Sequence, residues 1–237
     1  MTDEAVVAGL APTGVLRASI NLGNPVLAQG TEQAPGGVTV DLSREIAARL
    51  GVPVSLACSG AARHSFEALR TGTADVGFLA IEPARQAEVW FTAPYLLIEG
   101  VYAVPAGSPV TTAAEIDRAG VRVGVKEGSA YDLYLTRTLA RAEVVRGADA
   151  AAVFREQRLD AVAGIRQPLA SLVAGDPALR LIEPRFMEIR QAVAIAADRS
   201  PAAKAFLRGL IEDLKAAGFI ASAVARSGQA ATVAPPS

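Results

Sequence analysis

Short apolar runs of five or six residues alternate with helical stretches along most of this chain. That alternation points to α/β architecture, in which helices cover a largely parallel sheet. Val76–Ile81 is the clearest run, long enough for a strand and too short for a helix, and Pro83 then favours a turn. Val15–Ile20 predicts an earlier strand, followed by a polar-edged loop over Asn21–Gln29. Asp41 fits as the N-cap of a helix over Leu42–Leu50, with Leu42, Ile46 and Leu50 on one face and Gly51 as the stop. A second helix is expected over Phe66–Arg70, ending at Gly72.

The pattern then restarts. Val101–Val104 reads as a crossing strand, Val121–Val125 as a strand, Ser129–Leu139 as a helix and Val144–Val145 as a strand. Asp149–Gln157 is the next helix, and Ala161–Ile165 the next apolar strand, with Arg166, Gln167 and Pro168 at its carboxyl end. Ala192–Ala196 crosses back. Ser200 as N-cap and Pro201 at the first helical position then open a helix with Phe206, Leu210, Ile211 and Leu214 inward. The closing ATVAPPS reads as disordered. Two lobes follow: residues 10–100 plus 193–228, and residues 101–192, with 229–237 as a tail.

Composition removes several function classes. With 51% hydrophobic and 20% charged residues and a net charge of -1, the chain has ample core and no basic footprint for nucleic acid. No apolar stretch reaches the roughly 18 residues a membrane span needs, so direct membrane insertion is not expected. A single Cys58 rules out an intramolecular disulfide, and a single His64 leaves the usual zinc and Cys-His sets incomplete. No cofactor and no metal are expected, and the chain reads as a monomer.

Arg85 falls just past the strand at Val76–Ile81. Ligands of open α/β sheets bind outside the carboxyl ends of strands, and a guanidinium fork matches a carboxylate in a way Lys does not. The competing reading is a solvated surface pair with Glu88.

Four stretches in order resemble the polar amino-acid family of type II solute-binding proteins that serve ABC importers. They are Gly14–Asn21 (GVLRASIN), Gly37–Val54 (GVTVDLSREIAARLGVPV, similar to the family's strand and helix), Ala74–Tyr95 and Val121–Ala130 (VRVGVKEGSA). Within the third, Pro83, Arg85, Phe91, Thr92, Pro94 and Tyr95 match the P-x-R and F-T-x-P-Y elements. The resemblance spans about residues 10–228 and implies a periplasmic-binding-protein-like type II fold, two lobes hinged on two crossing strands. It implies closure over a small carboxylate-bearing ligand, amino-acid-like or dicarboxylate, and an ABC permease as partner.

Carried over residue by residue, the resemblance assigns Arg85 to the ligand carboxylate from the first lobe. Gly128, Ser129 and Ala130 take the same carboxylate from the second, where a glycine turn opens a helix and leaves backbone N–H groups at its positive end. Ser129 capping its own helix is the structural alternative, and Tyr131 follows at the rim. Asn21 and Asn24 resemble positions that reach the ligand's distal part. Phe78 is a candidate wall, and the chain has Phe78-Leu79-Ala80 where the family carries a hydroxyl.

Two departures bear on the ligand. The family places an Asp near the strand end that reads Gly164-Ile165-Arg166-Gln167-Pro168 here, so Ile165 or Arg166 replaces the ammonium acceptor. Paired with Arg85, Arg166 would suit a dicarboxylate or an acid with a polar tail; a solvent-facing loop residue is the alternative. Glu82, where the family has Thr, could accept a displaced ammonium, neutralise an arginine or remain a solvated rim charge. A dehydratase resembling the cyclohexadienyl and arogenate enzymes, with Glu82 as proton donor, is a second functional reading, and an intracellular ligand sensor a third. MTDEAVVAGLAPTG lacks the basic and apolar regions of a secretory signal. The compartment is periplasmic by resemblance, or cytoplasmic if Met1 is the native start.

Overall fold

The computed structural model describes residues 3–237. The chain forms two compact units, the first from the segment up to Leu97 together with Arg190 onward, the second from Ile98–Ile189. The expected divisions at 100/101 and 192/193 fall three residues further along the same two strands.

In chain order, the first unit begins with α1 (Glu4–Leu10), β1 (Leu16–Asn21), a small hairpin of β2 (Gln29–Gly30) and β3 (Pro35–Gly36), and α2 (Val38–Leu50). It continues with β4 (Val54–Ser59), α3 (Ala62–Arg70), β5 (Val76–Ala80), α4 (Pro83–Gln86) and β6 (Val89–Phe91). Strand β7 (Leu96–Pro105) leads into the second unit, built from β8 (Arg122–Lys126), α5 (Ala130–Thr138), β9 (Glu143–Gly147), α6 (Ala150–Glu156), β10 (Ala161–Ile165) and α7 (Arg166–Ala174). Strand β11 (Leu179–Ala196) returns to the first unit, which closes with α8 (Pro201–Ala216), α9 (Phe219–Arg226) and β12 (Thr232–Val233).

Each unit is organised the same way. In the first, β1 lies parallel to β4 on one side and β5 on the other, and Gln191–Ala194 of β11 pairs antiparallel with β5. In the second, β8 lies parallel to β9 and β10, and β7 pairs antiparallel with β10. The carboxyl ends of the parallel strands in each unit therefore share one edge, where the loops carrying the candidate residues emerge.

Apolar burial holds these sheets to their helices. All of β5 is buried, and Leu69, Ala74, Leu79, Val89 and Ala194 form one cluster behind it. In the second unit Val101, Phe154, Leu159, Val162 and Leu169 do the same. Each such Leu, Val or Phe contributes ~1.5–3 kcal/mol of transfer free energy. The carboxylate of Asp75 is buried as well. Asp75 accepts from Arg17 Nε at 2.9 Å, Arg17 Nη2 at 2.7 Å and Arg199 Nη2 at 2.8 Å. Burial alone would raise its pKa; the Arg17 fork and backbone N–H, with Arg199, overcome that and hold it below the usual carboxylate range.

Several expectations are corrected. Helix α2 begins at Val38, not after Asp41, so the strand expected ahead of it within Gly37–Val54 is absent. Gly37 leads into it at φ 102°, where an added Cβ would lie 2.7 Å from the Leu27 carbonyl oxygen. Val38 and Val40 are fully buried from this helix, and Asp41 instead pairs with Arg226 at 2.8 Å. The turn expected at Pro83 is present, as the single helical turn of α4. Residues 166–174 are helical, because Pro168 lies in the first turn, where its missing N–H has no partner to lose. In α8, Leu207 takes the buried position and Phe206 is only half-buried.

The tail is not disordered. Thr232 and Val233 pair with Leu97 and Leu96, and the Ala234 N–H donates to the Tyr95 carbonyl at 3.1 Å. No helix among the described residues is long and apolar enough to cross a membrane.

Candidate functional site

In the first unit, β5 runs buried to Ala80, and α4 then turns Arg85 back toward the strand it follows. The Glu82 carbonyl accepts from the Arg85 and Gln86 N–H groups at 2.9 and 3.0 Å, so Glu82 and Arg85 share one tight turn. Arg85 Nη1 donates to the Ala80 carbonyl at 3.2 Å. Both charged side chains belong to residues only 3% exposed. Arg85 is thus no surface residue paired with Glu88, which lies 3.8 Å from Arg70 instead. Nor is Glu82 a solvated rim charge. Desolvation lowers the Arg85 pKa to about 10, and the Glu82 charge pulls it back upward.

The other candidates of this unit sit close by in the fold but are engaged locally. Phe78 is buried, with its ring 6.2 Å from that of Tyr95 at 89°, an edge-to-face core pair. Asn21 Oδ1 accepts from the Gly23 N–H at 2.9 Å, and Asn24 Oδ1 from Val26 at 3.1 Å. The amide oxygens of both asparagines therefore shape the loop after β1.

In the second unit, β8 ends at Lys126 and Gly128 takes φ 70°, which turns the chain into α5. Ser129 Oγ accepts from the Asp132 N–H at 3.1 Å, and Asp132 Oδ2 reaches back to the Gly128 N–H at 2.8 Å. Asp132, 3% exposed, also pairs with Arg146 at 3.0 Å. The sequence reading overlooked Asp132, although S-x-x-D ahead of a helix is a reciprocal capping pattern. Ser129 does cap its own helix. Helix geometry supplies no acceptor inside α5 for the N–H groups of Ala130 and Tyr131, both buried residues. Burial pushes the Tyr131 phenol up to about 12, against hydrogen bonds from Ser129 and the Lys126 backbone.

Arg166 is the first residue of α7, one past Ile165, and Gln167 follows it half-buried. Its guanidinium is fully engaged within the unit: Nε with Glu99, Nη1 with Glu183, and Nη2 with Glu183 Oε2 at 2.7 Å. Arg185 adds a bond to Glu99 at 2.9 Å and one to Glu188 at 3.2 Å. Arg166 is therefore neither a solvent-facing loop residue nor an uncommitted second cation. The hydrogen bonds it donates to Glu183 and Glu99 raise its pKa against the cost of burial. The Arg185 and Arg166 bonds hold Glu99 below the usual carboxylate range, and the Arg166 fork does the same for Glu183. Glu99 reaches Arg166 because β7 and β10 pair Gly100 with Ile165.

The structure thus gathers Ala80, Glu82 and Arg85 at one strand end, and Gly128, Ser129, Ala130 and Tyr131 at another, with Arg166 and Gln167 on the neighbouring strand end. Among the described residues no group of three His, Cys, Asp or Glu is placed to hold a metal.

Residues 19–227 match the profile of the bacterial extracellular solute-binding proteins, family 3. No curated protein sequence matches significantly. Solved structures with the same fold include a mutant of ArgBP from T. maritima, with a TM-score of 0.77 and 22% identity over 94% of this chain and 99% of that one. The solute receptor for L-cysteine of Neisseria gonorrhoeae gives 0.78 and 19% identity over 93% and 92%. The ancestral amino-acid-binding protein AncCDT-1, a precursor of cyclohexadienyl dehydratase, gives 0.75 and 19% over 93% and 97%. At these identities the likeness establishes the type II periplasmic-binding-protein fold.

Proposed function

We propose that this chain, which belongs to the bacterial extracellular solute-binding proteins, family 3, binds a small amino-acid-like ligand by its carboxylate and delivers it, as a monomer, to an ABC permease. The observation that carries the reading is Arg85, a guanidinium 3% exposed at the end of a buried strand. A buried cation costs several kcal/mol unless something anionic answers it, and a ligand carboxylate adds to what Glu82 supplies. Within the second unit, the Ala130 and Tyr131 N–H groups at the positive end of α5 are donors that also suit a carboxylate.

An amino acid is favoured over a dicarboxylate. Arg166 already serves Glu99 and Glu183, so a second ligand carboxylate would have to displace one of them. Glu82, beside Arg85, provides an acceptor for an ammonium on the same ligand carbon, in place of the carboxylate that Ile165 does not offer. Likeness to a dehydratase precursor keeps an enzymatic reading in view, with Glu82 as acid.

A thermal-shift screen of L-amino acids, each beside its deaminated and dicarboxylate analogue, tests this. A ligand at a hundred times its Kd adds ~2.7 kcal/mol, which raises the midpoint by several degrees. Stabilisation by amino acids that vanishes in Arg85→Ala is expected, with no turnover of the bound ligand. Stabilisation by dicarboxylates alone would overturn the assignment of Glu82, and turnover would establish the enzyme.

A further inference from the structure

The carboxy-terminal segment is tied to the place where β7 leaves the first unit, and its backbone bonds there fall on residues 95–97. Thr232 and Val233 form a ladder with Leu97 and Leu96, and the Ala234 N–H donates to the Tyr95 carbonyl at 3.1 Å. Lys215 of α8 anchors both partners. Its side chain is 3% exposed, and its Nζ pairs with Glu212 at 2.7 Å while donating to the Pro235 carbonyl at 2.9 Å and the Pro94 carbonyl at 3.4 Å. Glu212 in turn accepts from Ser237 Oγ at 2.8 Å, and Ala234 is 3% exposed.

On its other side the same stretch is held by β11, where the Tyr95 N–H donates to the Gln191 carbonyl at 2.8 Å. The Tyr95 hydroxyl and Gln191 Oε1 are both buried and lack a hydrogen-bond partner. Such atoms are costly in a settled core, and they lie where both crossing strands enter the first unit.

We propose that residues 230–236 act as a strap on the outgoing crossing strand. Docked, the strap holds residues 94–97 between two neighbours and limits how far β7 bends as it leaves the first unit. Released, it leaves that stretch paired on one side and free to flex. The inference does not depend on the ligand's identity.

Hydrogen–deuterium exchange of the full chain, without ligand, against Ala234→Pro and Lys215→Met tests it. Ala234→Pro removes one donor from the strap; Lys215→Met removes the anchor. Distances between spin labels at the exposed positions of Arg44→Cys and Glu156→Cys, in a Cys58→Ser background, report the spread of arrangements of the two units. Expected are exchange at residues 95–98 at least tenfold faster and a broader distance distribution, with β1 and β5 still protected. Faster exchange confined to residues 230–236, with an unchanged distribution, would overturn the proposal. Should Lys215→Met unfold, Ala234→Pro decides alone.

Discussion

Arg85 and Arg166 stand at equivalent places in the two units, each just beyond a buried parallel strand in the first turn of a helix, yet their surroundings are opposite. Arg85 is buried against the Ala80 carbonyl and Glu82, and desolvation depresses its pKa to about 10. Arg166 is clamped by Glu99 and Glu183, which raise its pKa. On the proposed reading, the Arg85 guanidinium takes a ligand carboxylate beside Glu82. That of Arg166 is spent on tying α7 to β7 and β11. Position past a strand end thus does not by itself set an arginine's state; the groups facing it do.

The sharpest way to break this contrast is to remove the carboxylate beside Arg85. Glu82→Gln leaves a buried cation poorly compensated and should cost ~3–5 kcal/mol in urea unfolding, with Glu82→Gln/Arg85→Met recovering most of it. A small effect would mean that Glu82 is not the main charge partner. Next, Arg85→Lys keeps the charge and loses the fork. Calorimetry with the best amino acid from the screen should show Kd raised roughly ten- to a hundredfold, the ~1.5–3 kcal/mol of a charge-assisted hydrogen bond. Unchanged affinity would place the carboxylate elsewhere.

Arg166→Met should matter least in stability at neutral pH. The carboxylates of Glu99 and Glu183 are 36% and 58% exposed, so solvent screening reduces the network to about 1 kcal/mol or less, with ligand preference unaltered. Dicarboxylate binding by the wild type that is lost in that variant would restore Arg166 as a ligand cation.

Smallest but most diagnostic are the pH limbs. Glu99 and Glu183 have depressed pKa values, so their stabilisation is complete above the unfolded carboxylate range near ~4.3 and is lost as pH falls through the folded values. Arg166→Met should therefore flatten the acid limb of a stability-against-pH curve. For Arg85 the sign reverses. Its folded pKa lies below 12.5, so its charge destabilises fully below about 10 and the penalty fades as pH rises beyond that value. The gap between wild type and Arg85→Met should narrow on the alkaline side.

Much of the fold is legible in local pattern. Ser129, Asp149 and Ser200 each cap the helix expected after them, and the strands at 76–80 and 161–165 fall where short apolar runs place them. Where the reading fails, a distant contact overrides the pattern. Val38-Thr39-Val40 falls where the resemblance implies a strand, but Thr39 bonds back to Leu27 and the stretch is buried as helix. ATVAPPS looks too polar and proline-rich to order, but it pairs along β7 and its Pro235 carbonyl accepts from the Lys215 ammonium.

The site divides along the same line. Caps, strand ends and the Gly128 turn depend on interactions within four or five residues, so residue order alone determined them, and with them the placement of Arg85 past its strand. What surrounds each arginine was decided only in three dimensions. Glu99 lies 67 residues from Arg166 and Glu183 lies 17 away, and they meet because the β7–β10 register sets Gly100 opposite Ile165. A charge's state depends on what surrounds it within a few ångströms, and no spacing along the chain encodes that.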